Sequence, residues 1–153
     1  MKVTVTKSGA LSPASDFFRT GDEIDKVVYC SGPATRRGKR LASVATVVTL
    51  GATLDMAEVS ADLRSRGVRR LMVEGGSSTH TQFLTAGLAD ELQLVIAPLF
   101  VGDSRSRRFV GDGTFPWSSS CRATLAEMRP IGDAVLLRYA LSRYYCADGA
   151  RAT

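Results

Sequence analysis

Arg69-Arg70-Leu71-Met72-Val73-Glu74-Gly75-Gly76-Ser77-Ser78-Thr79-His80 is the stretch on which the fold of this 153-residue chain turns. Residues 70–74 are a short apolar run closed by a carboxylate, which predicts a buried strand with Glu74 at its carboxyl end. Gly75-Gly76 predicts a tight turn, and residues 77–86 predict a helix with Phe83, Leu84 and the following Leu88 on its apolar side. A strand that passes into a helix through two glycines leaves the first helical amides without partners and lets a ligand come close to the backbone. Those amides, with the hydroxyls of Ser77, Ser78 and Thr79, suit a phosphate or pyrophosphate. The same residues also read as a plain turn with a serine cap, because two glycines are less specific than a complete dinucleotide or P-loop fingerprint.

Working outward, the upstream residues predict a helix from Asp55, a capping residue, through Met56, Val59 and Leu63 at helical spacing to a cationic last turn and the stop at Gly67. Before it, residues 26–30 and 45–50 are continuous β-favouring runs, and residues 2–6 alternate with period two. Residues 10–25 read as connection. Downstream, residues 92–97 predict a strand ended by Pro98. The order strand, helix, strand, helix, strand over residues 45–97 predicts parallel pairing through right-handed crossovers, an α/β fold. Residues 99–120 read as a long surface loop. Residues 122–128 and 134–141 flank Pro130-Ile131-Gly132-Asp133 as an antiparallel hairpin with a longer turn. With no repeat and no dividing linker, one domain is expected over residues 1–143 and a disordered tail over 144–153.

Composition narrows the class. At 44% hydrophobic and 23% charged residues, collagen, coiled coil and wholesale disorder are excluded. A chain of this size can bury about two-thirds of its unfolded surface, so a core forms without disulfide staples. Three cysteines without CxxC spacing and a single histidine, His80, leave no Cys/His metal cluster and fit a reduced, cytoplasmic setting. No apolar run approaches the ~18 residues of a membrane span. Twenty basic against 15 acidic residues give +5, compatible with nucleic acid, an anionic surface or a phosphorylated small molecule. The arginines lack interleaved aromatics, so neither nucleic acid nor membrane is expected as a partner.

Individual residues can be assigned candidate roles. Glu74, at a strand's carboxyl end where ligands of open α/β sheets collect, can bind substrate or move a proton, or else pair with a nearby arginine. His80 lies in the first turn of the following helix, where the dipole disfavours its protonation, and reads as a packing or cap contact. Ser31-Gly32-Pro33, followed by Arg36, Arg37, Lys39 and Arg40, sets a basic cluster past another strand end. Such a cluster can take the 2′-phosphate that distinguishes NADP from NAD, or remain a solvated loop. Arg105, Arg107 and Arg108 can hold an anion, or simply face solvent.

Together, residues 69–76, Thr81-Gln82-Phe83-Leu84-Thr85-Ala86-Gly87-Leu88-Ala89-Asp90-Glu91-Leu92 and Ala97-Pro98-Leu99-Phe100-Val101-Gly102-Asp103 carry a resemblance. So do Arg108-Phe109-Val110-Gly111, Gly113-Thr114-Phe115-Pro116 and residues 131–139. From about Lys2 to Leu141 the chain resembles the bacterial riboflavin-biosynthesis reductases, the C-terminal reductase domain of the bifunctional deaminase-reductase. The resemblance implies a dihydrofolate-reductase-like α/β fold, with a mostly parallel central sheet flanked by helices and a C-terminal antiparallel hairpin. It also implies NADPH-dependent reduction of the ribosyl group of 5-amino-6-(5-phosphoribosylamino)uracil to a ribityl chain. Carried over, Gly75, Gly76, Ser77, Ser78 and Thr79 would contact the cofactor's phosphates, Glu74 would face the substrate, and Ser31 and Arg36 would meet the adenosine-ribose phosphate. The family's N-terminal Ser/Thr-x-Asp-Gly and Val-Gly-x-x-Thr motifs do not precede Lys2, so the chain is expected to enter the family pattern partway, truncated at its N-terminus. Open strand edges then favour a homo-oligomer such as a dimer. Two alternatives stand: reduction of another pterin-like or dihydrofolate-like substrate, or a catalytically silent nucleotide-binding or assembly module.

Overall fold

The computed structural model describes residues 1–142; Cys146 and the tail expected over 144–153 lie outside the described residues. The chain forms two compact units, Met1–Leu71 and Met72–Thr153.

The first unit is built on a parallel sheet in the order β1 (Lys2–Thr6), β2 (Lys26–Ser31), β3 (Thr46–Leu50). The central strand β2 runs Lys-Val-Val-Tyr-Cys-Ser without alternation, as a strand covered on both faces should. Val28, Tyr29 and Cys30 have no exposed surface. On one face Val28 packs with Phe18 of the short α1 (Asp16–Arg19) and with Leu41. Cys30, on that same face, meets α2 (Thr35–Gly38) so closely that a Cβ at Gly38 would lie 3.1 Å from its Sγ. On the other face Tyr29 reaches α3 (Met56–Ser65), where Met56, Val59 and Leu63 are buried at the expected spacing. Asp55 caps α3 by accepting a hydrogen bond from the Ala57 amide at 2.7 Å, and Gly67 follows the helix at φ +85°. Burying each of these aliphatic side chains contributes about 1.5–3 kcal/mol, and β2 and α3 concentrate that gain at the centre of the unit.

The second unit begins with α4 (Ser77–Thr85) and continues into an antiparallel sheet in the order β4 (Glu91–Ile96), β6 (Ala134–Ala140), β5 (Thr124–Ile131). The hairpin is present, but Ile131 pairs directly with Ala134. Its turn is therefore the two residues Gly132-Asp133, shorter than expected, with Gly132 at φ +61° in the first central position. Residues 99–120 contain no helix or strand, as expected of a loop.

Two elements differ from the sequence expectation. Residues 70–74 are not in a ladder, and Met72 is 77% exposed. Strand propensity is a property of the segment, but the hydrogen-bond partner comes from elsewhere, and residues 70–74 are part of neither sheet. β4 pairs antiparallel with β6 over six residues, where the strand-helix order had predicted parallel pairing. A hairpin strand already presenting Val135, Leu137 and Tyr139 is an immediate partner for Ile96, Leu94 and Leu92. Among the described residues no helix is long and apolar enough to cross a membrane.

Candidate functional site

At the entry to α4 the two glycines adopt backbone angles that side chains resist: φ is +92° at Gly75 and +26° at Gly76. A Cβ built on either would meet nothing within 4 Å, so the turn is open space on its outer side. Thr79 and His80 both donate their amides to the Gly76 carbonyl, at 3.0 and 3.3 Å. The amides of Gly75, Gly76, Ser77 and Ser78 therefore precede the first hydrogen-bonded turn and have no partner among the described residues. Neither Ser77 nor Ser78 caps the helix; Gly76 holds that position and no side chain bonds there. Glu74, Gly75, Gly76 and Ser78 are exposed, Ser77 and Thr79 half-buried. Glu74 has no ion pair among the described residues, so its carboxylate is not committed to an arginine.

This turn is held from behind by α4. Phe83 and Leu84 are buried, and the Thr81 hydroxyl donates to the Ser77 carbonyl at 2.6 Å while accepting the Gly111 amide at 2.7 Å. His80 donates Nδ1–H to the Phe109 carbonyl at 3.2 Å, which fixes that nitrogen as the protonated one, and its ring sits 5.9 Å from the Phe109 ring. Gly113 approaches so closely that a Cβ there would lie 2.7 Å from the Thr85 methyl. Residues 109–113 are thereby laced along α4, and His80 acts as a packing contact. Arg105 and Arg108 are taken up by Asp103 at 3.1 Å and Asp112 at 3.0 Å.

The other nominated residues lie on the first unit, at the carboxyl ends of the parallel strands. Ser31 is buried, and its hydroxyl donates to the Lys7 carbonyl at 3.2 Å. Arg36 is exposed on α2, as are Arg37, Lys39 and Arg40 nearby, and none has an ion pair among the described residues. The Gly32 amide bonds the Gly51 carbonyl at 2.8 Å, and Thr35 donates to the Gly32 carbonyl at 2.8 Å with Thr49 3.2 Å away. A cavity of about 460 Å³ lies instead at the amino ends of β2 and β3, lined by Asp22, Asp25, Lys26 and Arg66 among others; it holds none of the nominated residues.

The sequence assigns no role to Thr81, whose hydroxyl positions both the start of α4 and the 109–113 segment, because a threonine inside a helix carries no functional signal of its own. Nor does it single out the group Tyr29, Asp62 and Arg66. There the phenol donates to Asp62 Oδ2 at 2.6 Å, and Arg66 Nε donates to the same oxygen at 2.6 Å. Burial first, then the Asp62 hydrogen bond and charge, push the Tyr29 phenol up to about 12. The hydrogen bonds from Arg66 and Tyr29 hold Asp62 below the usual carboxylate range. The spacing of Asp62 and Arg66 was a legible signal of an ion pair; the strand tyrosine joining them was not.

Comparison with known proteins decides the family. The profile of the RibD C-terminal domain matches residues 1–137. The chain belongs to the RibD C-terminal domain family. Among RibD-type relatives, it is 33% identical over 121 residues to the 2,5-diamino-6-ribosylamino-4(3H)-pyrimidinone 5′-phosphate reductase of Methanothermobacter thermautotrophicus, covering 77% of this chain and 56% of that protein. It is 31% identical over 114 residues to the riboflavin biosynthesis protein RibD of Bacillus amyloliquefaciens, covering 72% of this chain and 31% of that one. The chain thus spans about half the length of the archaeal reductase. A pyrimidine reductase-like protein from Corynebacterium diphtheriae superposes with a TM-score of 0.75 at 24% identity, over 92% of this chain and 60% of that one. Acinetobacter baumannii RibD follows at 0.69 and 17%, over 90% and 36%. The RibD-type fold is dihydrofolate-reductase-like α/β, as the sequence resemblance implied.

Proposed function

We propose that this RibD-type domain is an NADPH-dependent reductase acting on 5-amino-6-(5-phosphoribosylamino)uracil. The observation that carries the proposal is the turn at Gly75-Gly76, whose unpartnered amides open onto space that a phosphate can fill. Four bare amides and two serine hydroxyls form a donor set matched to a diphosphate, so the residues present fit the cofactor. The first unit separately carries a basic α2 segment with Arg36 exposed, a surface of positive charge. Membership of the RibD family and the reductase names of its relatives support the same chemistry.

When bound, NADPH supplies the hydride that reduces the sugar C1′. The chain's own contribution is binding and orientation. The amides of residues 75–78 anchor the phosphates, and the lacing of residues 109–113 along α4 keeps the turn from shifting. Glu74, exposed and unpaired one residue before the turn, accepts hydrogen bonds from the sugar hydroxyls and can relay the proton taken up by the ring oxygen as the sugar opens.

The test is turnover by the purified chain. NADPH oxidation should require the phosphoribosylamino-uracil and proceed far more slowly with dihydrofolate. A strict preference for dihydrofolate would replace the substrate assignment, and NADPH binding without oxidation of any such substrate would make the domain a silent nucleotide-binding module. Glu74→Gln should lower kcat about 100-fold while leaving NADPH affinity unchanged; equal turnover would remove Glu74 from the chemistry.

A further inference from the structure

A threonine inside a helix commonly donates its hydroxyl to the carbonyl four residues earlier, as Thr85 does to Thr81 at 2.7 Å. Thr81 does the same to Ser77 at 2.6 Å, but its oxygen also accepts the Gly111 amide at 2.7 Å, from a segment 30 residues away. Both bonds are partly buried, where a hydrogen bond is stronger than in water and a broken one is costly. His80, next to Thr81, holds the Phe109 carbonyl at 3.2 Å and so keeps this segment alongside the first turn of α4.

The other end of this tie is the turn before the helix. The Ser77 carbonyl and the Ser78 amide belong to one peptide unit, planar and trans, so their C=O and N–H vectors point in opposite directions. Fixing the Ser77 oxygen therefore fixes the direction of the Ser78 N–H, one of the amides left bare at the start of α4. The bonds also run head to tail. The Gly111 N–H donates to the Thr81 oxygen, the Thr81 O–H donates to the Ser77 carbonyl, and the conjugated amide carries the effect on to the Ser78 N–H. In such a chain each bond polarises the next, and here the last step draws electrons away from the Ser78 hydrogen. The result is an amide of fixed direction with a more acidic hydrogen, a better donor to an anion.

We propose that Thr81 is a positioning residue of the cofactor site, which orients and polarises the Ser78 amide and ties it to residues 109–111. This role rests on the reading of the Gly75-Gly76 turn as the cradle for the cofactor's phosphates. Thr81 acts on the anion through the Ser77–Ser78 peptide and not by contact. It serves binding and not the hydride step, so its loss falls on the NADPH KM and spares kcat.

Two variants test this: Thr81→Val keeps the shape of the side chain and removes both hydrogen bonds, and Thr81→Ser keeps both bonds. In the protein without cofactor, Thr81→Val should move the amide proton resonances of Ser78 and Gly111 upfield and leave Gly75 in place, whereas Thr81→Ser should leave all three. By calorimetry, Thr81→Val should bind NADPH about 10-fold more weakly, with the KM raised to match and kcat within about twofold of wild type. Thr81→Ser should restore the affinity. A Thr81→Val protein with wild-type affinity, or a loss that Thr81→Ser does not recover, overturns the role while the phosphate cradle stands. A wild type that binds no NADPH overturns the cradle and the role together. Should Thr81→Val not fold, the wild type decides: the Gly111 amide must shift with that of Ser78 along one NADPH titration, and a Gly111 resonance that stays fixed while Ser78 moves overturns the role.

Discussion

Tyr29 joins a strand to a helix through one hydrogen bond, and its environment makes stability depend on pH. Its folded-state pKa is raised, so the interaction is fully present below the unfolded value near 10 and is lost as pH rises towards about 12. With the phenol fully buried, a two-unit shift corresponds to about 2–3 kcal/mol. Urea unfolding at pH 8 and pH 11 should show the wild type losing stability over that interval while Tyr29→Phe, less stable at pH 8 by about 1–2 kcal/mol, loses much less. Equal losses in both proteins would mean that Asp62 does not hold the phenol. At Gly76 the sequence marked a tight turn that lets a ligand come close to the backbone, and the structure adds φ +26°. Which amides stay bare was not legible, because that depends on Thr79 and His80 both choosing the Gly76 carbonyl.

Among the elements, α3 was readable in full, since its cap, apolar spacing and glycine stop are all local signals. Asp55→Ala should cost about 1 kcal/mol in urea unfolding, by loss of the Ala57 amide bond; an unchanged midpoint would show that the cap contributes nothing. β2 was equally plain, because burial on both faces leaves an uninterrupted apolar run. Residues 70–74 and β4 mark where local reading fails. Both are apolar enough for strands, yet pairing is a choice among distant edges, and β6 took β4 while residues 70–74 stayed outside any ladder. A bulge at Ala126 of β5, between Leu125 and Glu127, is likewise invisible in sequence, although it decides which face Leu125 and Met128 share.

For the molecule as a whole, the fold class and family were legible because many weak local signals agreed over nearly the entire chain, from the first strand to the final hairpin. Catalysis is a different matter, since it needs groups held together in space, and Glu74, the Gly75-Gly76 turn and the exposed Arg36 were named by the company they keep in sequence. The central claim is that the unpartnered amides at the start of α4 grip a diphosphate. An amide chemical-shift titration with NADPH measures it most directly. Saturable shifts should concentrate on Gly75, Gly76, Ser77 and Ser78, and Gly76→Val, folded but strained at that turn, should lose them. Resonances of those four residues that stay fixed at saturating dinucleotide would contradict the account.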